Sequence, residues 1–238
     1  DPGNYTQQIG TNSNTSLYDV NKAIETAHKA FQTWKDTPIA ERQKLLKKAS
    51  ELIYQEKDNL KELLVSEHGG MLWEAETDFY LGSGVMSMYA QAPDDFLVPK
   101  EISEENGWIR IHKKPKGVIS AIVPWNMPIV LTMMKLGPLL LAGNTVVLKP
   151  SPFAALALTQ LLAKIAAIFP KGVINVVHGD ADVGNLMTSH PLVRKVAFTG
   201  GTTTGAAVMA SAAQSIKDVT LELGGNDAAI ILDDSDFK

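Results

Sequence analysis

Apolar residues recur at helical spacing through the first third of the chain. Val20, Ala23, Ile24, Ala27, Ala30 and Phe31 share one face of a helix over 20–34, with Asp19 placed to cap it. Pro38 marks the break before a second helix over 40–55, where Leu45, Leu46, Ala49, Leu52 and Ile53 repeat the pattern. The stretch 57–67 continues similarly until Gly69-Gly70 stops it, and a further helix spans 72–91 despite Gly82 and Gly84. The texture changes at about residue 97. Trp108-Ile-Arg-Ile-His-Lys alternates apolar and polar side chains, which suits an exposed antiparallel strand projecting from the main body.

From Gly117 onward, short apolar runs alternate with helical patterns. Strands are predicted at 118–123, 145–148, 173–177, 196–198, 219–221 and 228–232, and helices at 128–141, 153–169, 181–188 and 204–213. Parallel strands need crossover connections, so this alternation predicts an α/β protein with a parallel sheet covered on both faces. Right-handed crossovers gather the strand C-terminal ends on one edge, where ligands bind such sheets.

Composition narrows the function classes. The 238 residues are 45% hydrophobic and 20% charged, with a net charge of -4. Lys113, Lys114 and Lys116 form the densest basic cluster, too short for a nucleic-acid footprint. The most apolar stretch, 136–148, is interrupted by Gly137, Pro138, Gly143 and Asn144, so no membrane partner is expected. No cysteine is available, which gives no support to a secreted, disulfide-stapled fold, and no signal-peptide pattern follows Asp1; the expected location is cytoplasmic. His28, His68, His112, His178 and His190 are scattered without metal-ligand spacing, and no metal is expected.

Four short segments carry candidate chemistry. Phe198-Thr-Gly-Gly-Thr-Thr-Thr-Gly205 reads as a strand, a glycine turn and a helix start, which suits a phosphate; it equally suits a plain strand–helix turn. It is not the G-x-G-x-x-G fingerprint. Lys149 closes a strand on the ligand-binding edge, or is simply solvated there. Asn126 precedes Pro128 at a helix start, where an asparagine can cap the helix. Glu222, between Leu221 and Leu223, either faces solvent or is partly desolvated beside Gly224-Gly225, which raises a carboxyl toward general-base range.

Together, Val123-Pro-Trp-Asn126, Val147-Leu-Lys-Pro150, the 198–205 turn and Val219-Thr-Leu-Glu-Leu-Gly-Gly225 resemble the aldehyde dehydrogenase superfamily. The resemblance implies a Rossmann-like sheet with flanking helices over 117–238, an N-terminal helical part over 1–96, and an antiparallel oligomerisation arm over 97–116. It implies NAD or NADP held by Val123, Pro124, Trp125, Lys149, Ser151, Pro152, Asp180, Gly184, Phe198, Thr199, Gly200, Gly201, Thr204, Leu223 and Gly224. The Asn126 side chain would stabilise an oxyanion, and Glu222 would activate the water that releases a carboxylic acid. Met127, Leu131 and Met134 would line the tunnel for a small-molecule aldehyde, with Lys135 tied to proton transfer or structural pairing. The family's nucleophilic cysteine matches a position beyond Lys238, and its members form homodimers or homotetramers.

The chain departs from the family pattern in places. Gly201 and Thr203 replace a common serine and glutamate, and Pro152 stands where NAD-preferring members carry a glutamate. Losing that carboxylate removes the repulsion of a 2′-phosphate, so NADP should be tolerated alongside NAD. Met134 replaces an arginine frequent among enzymes for diacid semialdehydes, which argues against such substrates. Two rival readings are a noncatalytic nucleotide-binding or structural protein of the same fold, and a coenzyme A-linked relative. Glu222 argues against the latter, since a water-activating base has little use there.

Overall fold

The computed structural model describes residues 1–236. Helix α1 (Leu17–Trp34) starts two residues upstream of the expected cap. Ser16 is the N-cap, its Oγ accepting the Asp19 N–H at 3.1 Å and donating to Asp19 Oδ2 at 2.6 Å. Ser16 has the extended backbone a cap requires, whereas Asp19 already lies inside the first turn, where its charge suits the helix dipole. Replacing Ser16 by Ala should cost about 0.5–2 kcal/mol, read as a lower denaturant midpoint at unchanged slope.

The stretches 40–55 and 57–67 form one helix, α2 (Ile39–His68). The intervening Glu56 continues the helix and takes Lys164 Nζ at 2.6 Å. Gly69 ends the helix at φ 75°, a left-handed angle that favours glycine. Helix α3 (Leu72–Ala90) packs along α2 and leads into a hairpin, β1 (Lys100–Glu104) with β2 (Gly107–Ile111). These two strands pair antiparallel with each other and with no other strand among the described residues, leaving Trp108 and Ile109 more than half exposed.

The remaining strands are β3 (Val118–Ile122), β4 (Thr145–Lys149), β5 (Ile174–Val176), β6 (Val193–Thr199) and β7 (Asp218–Glu222). They form one parallel sheet in the order β5-β4-β3-β6-β7. The crossovers are α4 (Pro128–Leu141), α5 (Leu156–Ala166), α6 (Ala181–Ser189) and α7 (Thr202–Ala213). Alternate residues of each strand feed two cores. Val146 and Leu148 join α2, α3, α4 and α5 on one face, while Val147 joins α1, α6 and α7 on the other.

Two expected elements change. The helix predicted over 153–169 divides into a 3-10 turn (Pro152–Ala154) and α5, because Glu67 at the end of α2 accepts the Leu156 and Ala157 N–H groups and fixes the start there. No strand forms over 228–232. Ile230, Ile231 and Leu232 are 87%, 63% and 63% exposed, and this apolar run has neither a paired strand nor a covering helix among the described residues.

Candidate cofactor and active site

The chain builds the sheet outward from β3 through β4 to β5, then returns to the other side of β3 to lay down β6 and β7. The reversal falls between β3 and β6. Their C-terminal ends diverge into oppositely placed crossovers and leave a crevice, the usual ligand position in such sheets. Val123 and Pro124 leave β3 there, and Thr199, Gly200 and Gly201 leave β6. Val123 donates its N–H to the Lys149 carbonyl at 3.2 Å, tying the turn to β4.

On the α6–α7 side, a cavity of about 350 Å³ opens at this edge. It gathers Lys149, Pro152, Asp180, Gly184, Phe198 and Thr204, six residues drawn from three separate stretches of sequence. Lys149 is buried, and burial pushes its ammonium down while Asp180 and Asp182 hold it up. Gly201 is the N-cap residue of α7 and brings no side-chain cap, so the first N–H groups of the helix remain available to an anion. Gly200 is required for space: a Cβ there would lie 2.6 Å from the Phe198 ring. Its N–H donates to the Glu222 carbonyl at 3.0 Å. Ser151 is turned to local work, its Oγ capping the 3-10 turn at Phe153 N–H. Leu223 packs over Gly205 of α7, and Gly224 is exposed beyond β7.

Asn126 lies in the exposed turn before α4 and lines a second cavity, about 360 Å³, with Trp73, Asp78, Trp125 and Met127. It does not cap α4. Met127 is the N-cap residue and makes no side-chain cap bond. The cap comes from α3, where Asp78 Oδ2 accepts the Ile129 N–H at 3.0 Å and Oδ1 accepts the Val130 N–H at 2.7 Å.

Glu222 ends β7 and lines a third cavity of about 340 Å³ with Leu131, Met134, Lys135, Lys195 and Thr199. Its side chain is exposed, so the partial desolvation expected beside the glycines is not provided by the described residues. Lys135 is the buried partner: its Nζ donates to Thr199 Oγ1 at 2.7 Å. Burial pushes its ammonium down to about 8, opposed by Glu222 and assisted by Lys195.

The expected tunnel trio is divided. Leu131 and Met134 stand one turn apart on α4 and share the Glu222 cavity, whereas Met127 precedes the helix at φ −136° and opens on the Asn126 cavity. Nor does Met134 leave its cavity without a cation, because Lys135 and Lys195 line it. Sequence reasoning missed Asp78. The available signal was a carboxylate on the same helical face as Ala75, Phe79 and Gly82, all buried.

Among the described residues no cluster of potential ligands could hold a metal ion, and no helix is long and apolar enough to cross a membrane.

The aldehyde dehydrogenase family profile matches residues 1–238. Betaine aldehyde dehydrogenase of Vibrio vulnificus is 39% identical over 90% of this chain and 45% of its own length. Mitochondrial succinate-semialdehyde dehydrogenase of Arabidopsis thaliana is 37% identical over 92% of the chain and 42% of its own length. Among solved structures, a point mutant of Staphylococcus aureus betaine aldehyde dehydrogenase in complex with NAD+ superposes with a TM-score of 0.86, at 31% identity, covering 92% of this chain and 46% of that one. The chain thus spans about half the length of the curated relatives it matches. With its sheet order, its crevice at the strand reversal and a match along its whole length, this chain belongs to the aldehyde dehydrogenase family.

Proposed function

We propose that the full-length protein oxidises an aldehyde to a carboxylic acid with NAD or NADP through a cysteine thioester, the cysteine being the one that the family resemblance matches to a position beyond residue 238, and that this chain supplies the cofactor site, the oxyanion donor and the general base. The observation that carries the reading is convergence at one sheet edge. At the C-terminal ends of the strands Ile122 pairs with Lys149 on one side and Phe198 on the other, Thr199 pairs with Glu222, and Asn126 follows four residues after Ile122.

The fit to a dinucleotide rests on the chain's own groups. Lys149 and the α7 N-terminus offer positive potential to hydroxyl and phosphate oxygens, and Phe198 gives an apolar wall. A dinucleotide held by these residues would supply a nicotinamide able to accept the hydride lost by the substrate. Asn126 donates its carboxamide N–H to the carbonyl oxygen as negative charge develops on it. Glu222 takes a proton from the water that attacks the thioester carbon, forming the acid's C–O bond as the carbon–sulfur bond breaks and the thiolate leaves. Lys135, its ammonium pushed down to about 8 by burial and bonded to Thr199, orients the Glu222 side of the site. The exposed β1–β2 hairpin is assigned to pairing with a second subunit, giving a homodimer or homotetramer.

Two measurements test the reading. Aldehyde-dependent formation of reduced nicotinamide by the intact protein is the expected result; cofactor binding with no turnover on any aldehyde would favour a noncatalytic nucleotide-binding role. Titration calorimetry with NAD and NADP should give comparable dissociation constants, because Pro152 places no charge at the cavity where the ribose would lie. Pro152→Glu should then weaken NADP by roughly tenfold, about 1.4 kcal/mol, through like-charge repulsion. A strong NAD preference in the unaltered protein would contradict this account of Pro152.

A further inference from the structure

Helix α4, like α5, has its first N–H groups met by a carboxylate from another helix. Pro128 occupies its first turn and has no N–H, so Ile129 and Val130 present the first free donors. Both are buried, and water cannot serve them. Met127, at the N-cap position, has no side-chain oxygen to offer. The two donors are met instead by the two oxygens of one carboxylate, Asp78, fifty-odd residues earlier in sequence.

Asp78 is only 2% exposed. Burial pushes its carboxyl up to about 6, with the Val130 and Ile129 N–H groups acting in the opposite direction. A buried carboxylate is costly unless its lone pairs are met, so this one is retained where it meets two orphan donors at the positive end of a helix. One turn along α3, Gly82 lets the helices close: a Cβ there would lie 3.0 Å from Ile129 Cγ2. The first turn of α4 is therefore gripped at Asp78 and pressed at Gly82. Asn126 hangs two residues before this fixed point, in a turn whose own side chains are exposed or half-exposed. Asp78 and Asn126 line the same cavity.

We propose that Asp78 is a positioning residue for Asn126. By holding the Ile129 and Val130 N–H groups it sets where the Asn126 carboxamide lies in the cavity both residues share. This rests on the reading of Asn126 as an oxyanion donor. A donor must lie within a few tenths of an ångström of its place to act on developing charge, so loosening the helix start should be felt in turnover before it is felt in binding.

The test is steady-state kinetics of the intact protein with Asp78→Ala, Asp78→Asn, Asn126→Ala and the double variant Asp78→Ala/Asn126→Ala. Asp78→Ala should lower kcat by roughly tenfold to a hundredfold while KM for aldehyde and Kd for cofactor stay unchanged. Asp78→Asn keeps the size and one acceptor and should lose less; it serves where Asp78→Ala fails to fold, with cofactor Kd as the check of folding. In the Asn126→Ala background, removing Asp78 should lower kcat no further, because the group it positions is gone. Unchanged kcat in folded Asp78 variants, beside an impaired Asn126→Ala, would overturn the proposal alone. So would an equal loss with and without Asn126, which marks a merely structural role. Unchanged kcat for Asn126→Ala would overturn the oxyanion reading and this proposal with it.

Discussion

Replacing Glu222 by Gln in the intact protein should lower steady-state turnover by about 10²–10⁴-fold. Gln has the same shape and can still accept a hydrogen bond, but it cannot take a proton from water. The loss should therefore fall on acid release, while the hydride step survives. The diagnostic is a rapid burst of reduced nicotinamide, about one per site, followed by a near-stalled steady state. Glu222 sits at the end of β7 and is exposed. Folding stability should therefore change little, and a large fall in the unfolding midpoint would show that the activity loss has another cause. An unaltered steady-state rate would remove Glu222 from the mechanism.

The second large effect is expected at Asn126. Asn126→Ala should reduce kcat by about 10²–10³, or roughly 2.7–4 kcal/mol of barrier, the loss typical of one oxyanion donor. KM should move little, because the bond strengthens only as charge builds on the carbonyl oxygen. Asn126→Asp should be at least as damaging, since a carboxylate there opposes the developing negative charge. Cofactor affinity should be unaffected in both variants. Asn126 opens on the cavity shared with α3, whereas Lys149 and Phe198 line a different one against α6 and α7. Cofactor affinity that falls in step with kcat would show that Asn126 belongs to the cofactor cavity instead. In contrast to Glu222→Gln, no burst should appear, because the donor acts before the reduced nicotinamide forms.

These expectations draw on a division that runs through the molecule. Local periodicity determined the elements. The apolar runs at 118–123 and 145–148 became β3 and β4 because their alternate side chains feed two cores, a pattern visible in a few consecutive residues. The glycine turn at 198–205 was legible for the same reason, since a strand, small residues and a helix start follow directly on one another. Legible too was the need for crossover helices, because parallel strands cannot be joined by tight turns.

Only the tertiary structure decided where those elements meet. The return of the chain across β3 to lay down β6 gathers Lys149, Asp180 and Thr204 around one cavity, and no local pattern encodes that reversal. It also parted Met127 from Leu131 and Met134, which looked equivalent along the chain but project from a turn and from a helix face. The apolar run at 228–232 has good strand composition yet gains no ladder among the described residues, because a strand is stabilised by its neighbours and not by its own sequence. The least legible features were the carboxylates that cap distant helices. Asp78 serves α4 and Glu67 serves α5, each across a wide gap in sequence. Helical periodicity places such a residue on the buried face. Its orphan donors belong to another segment, and only folding brings charge and donors together.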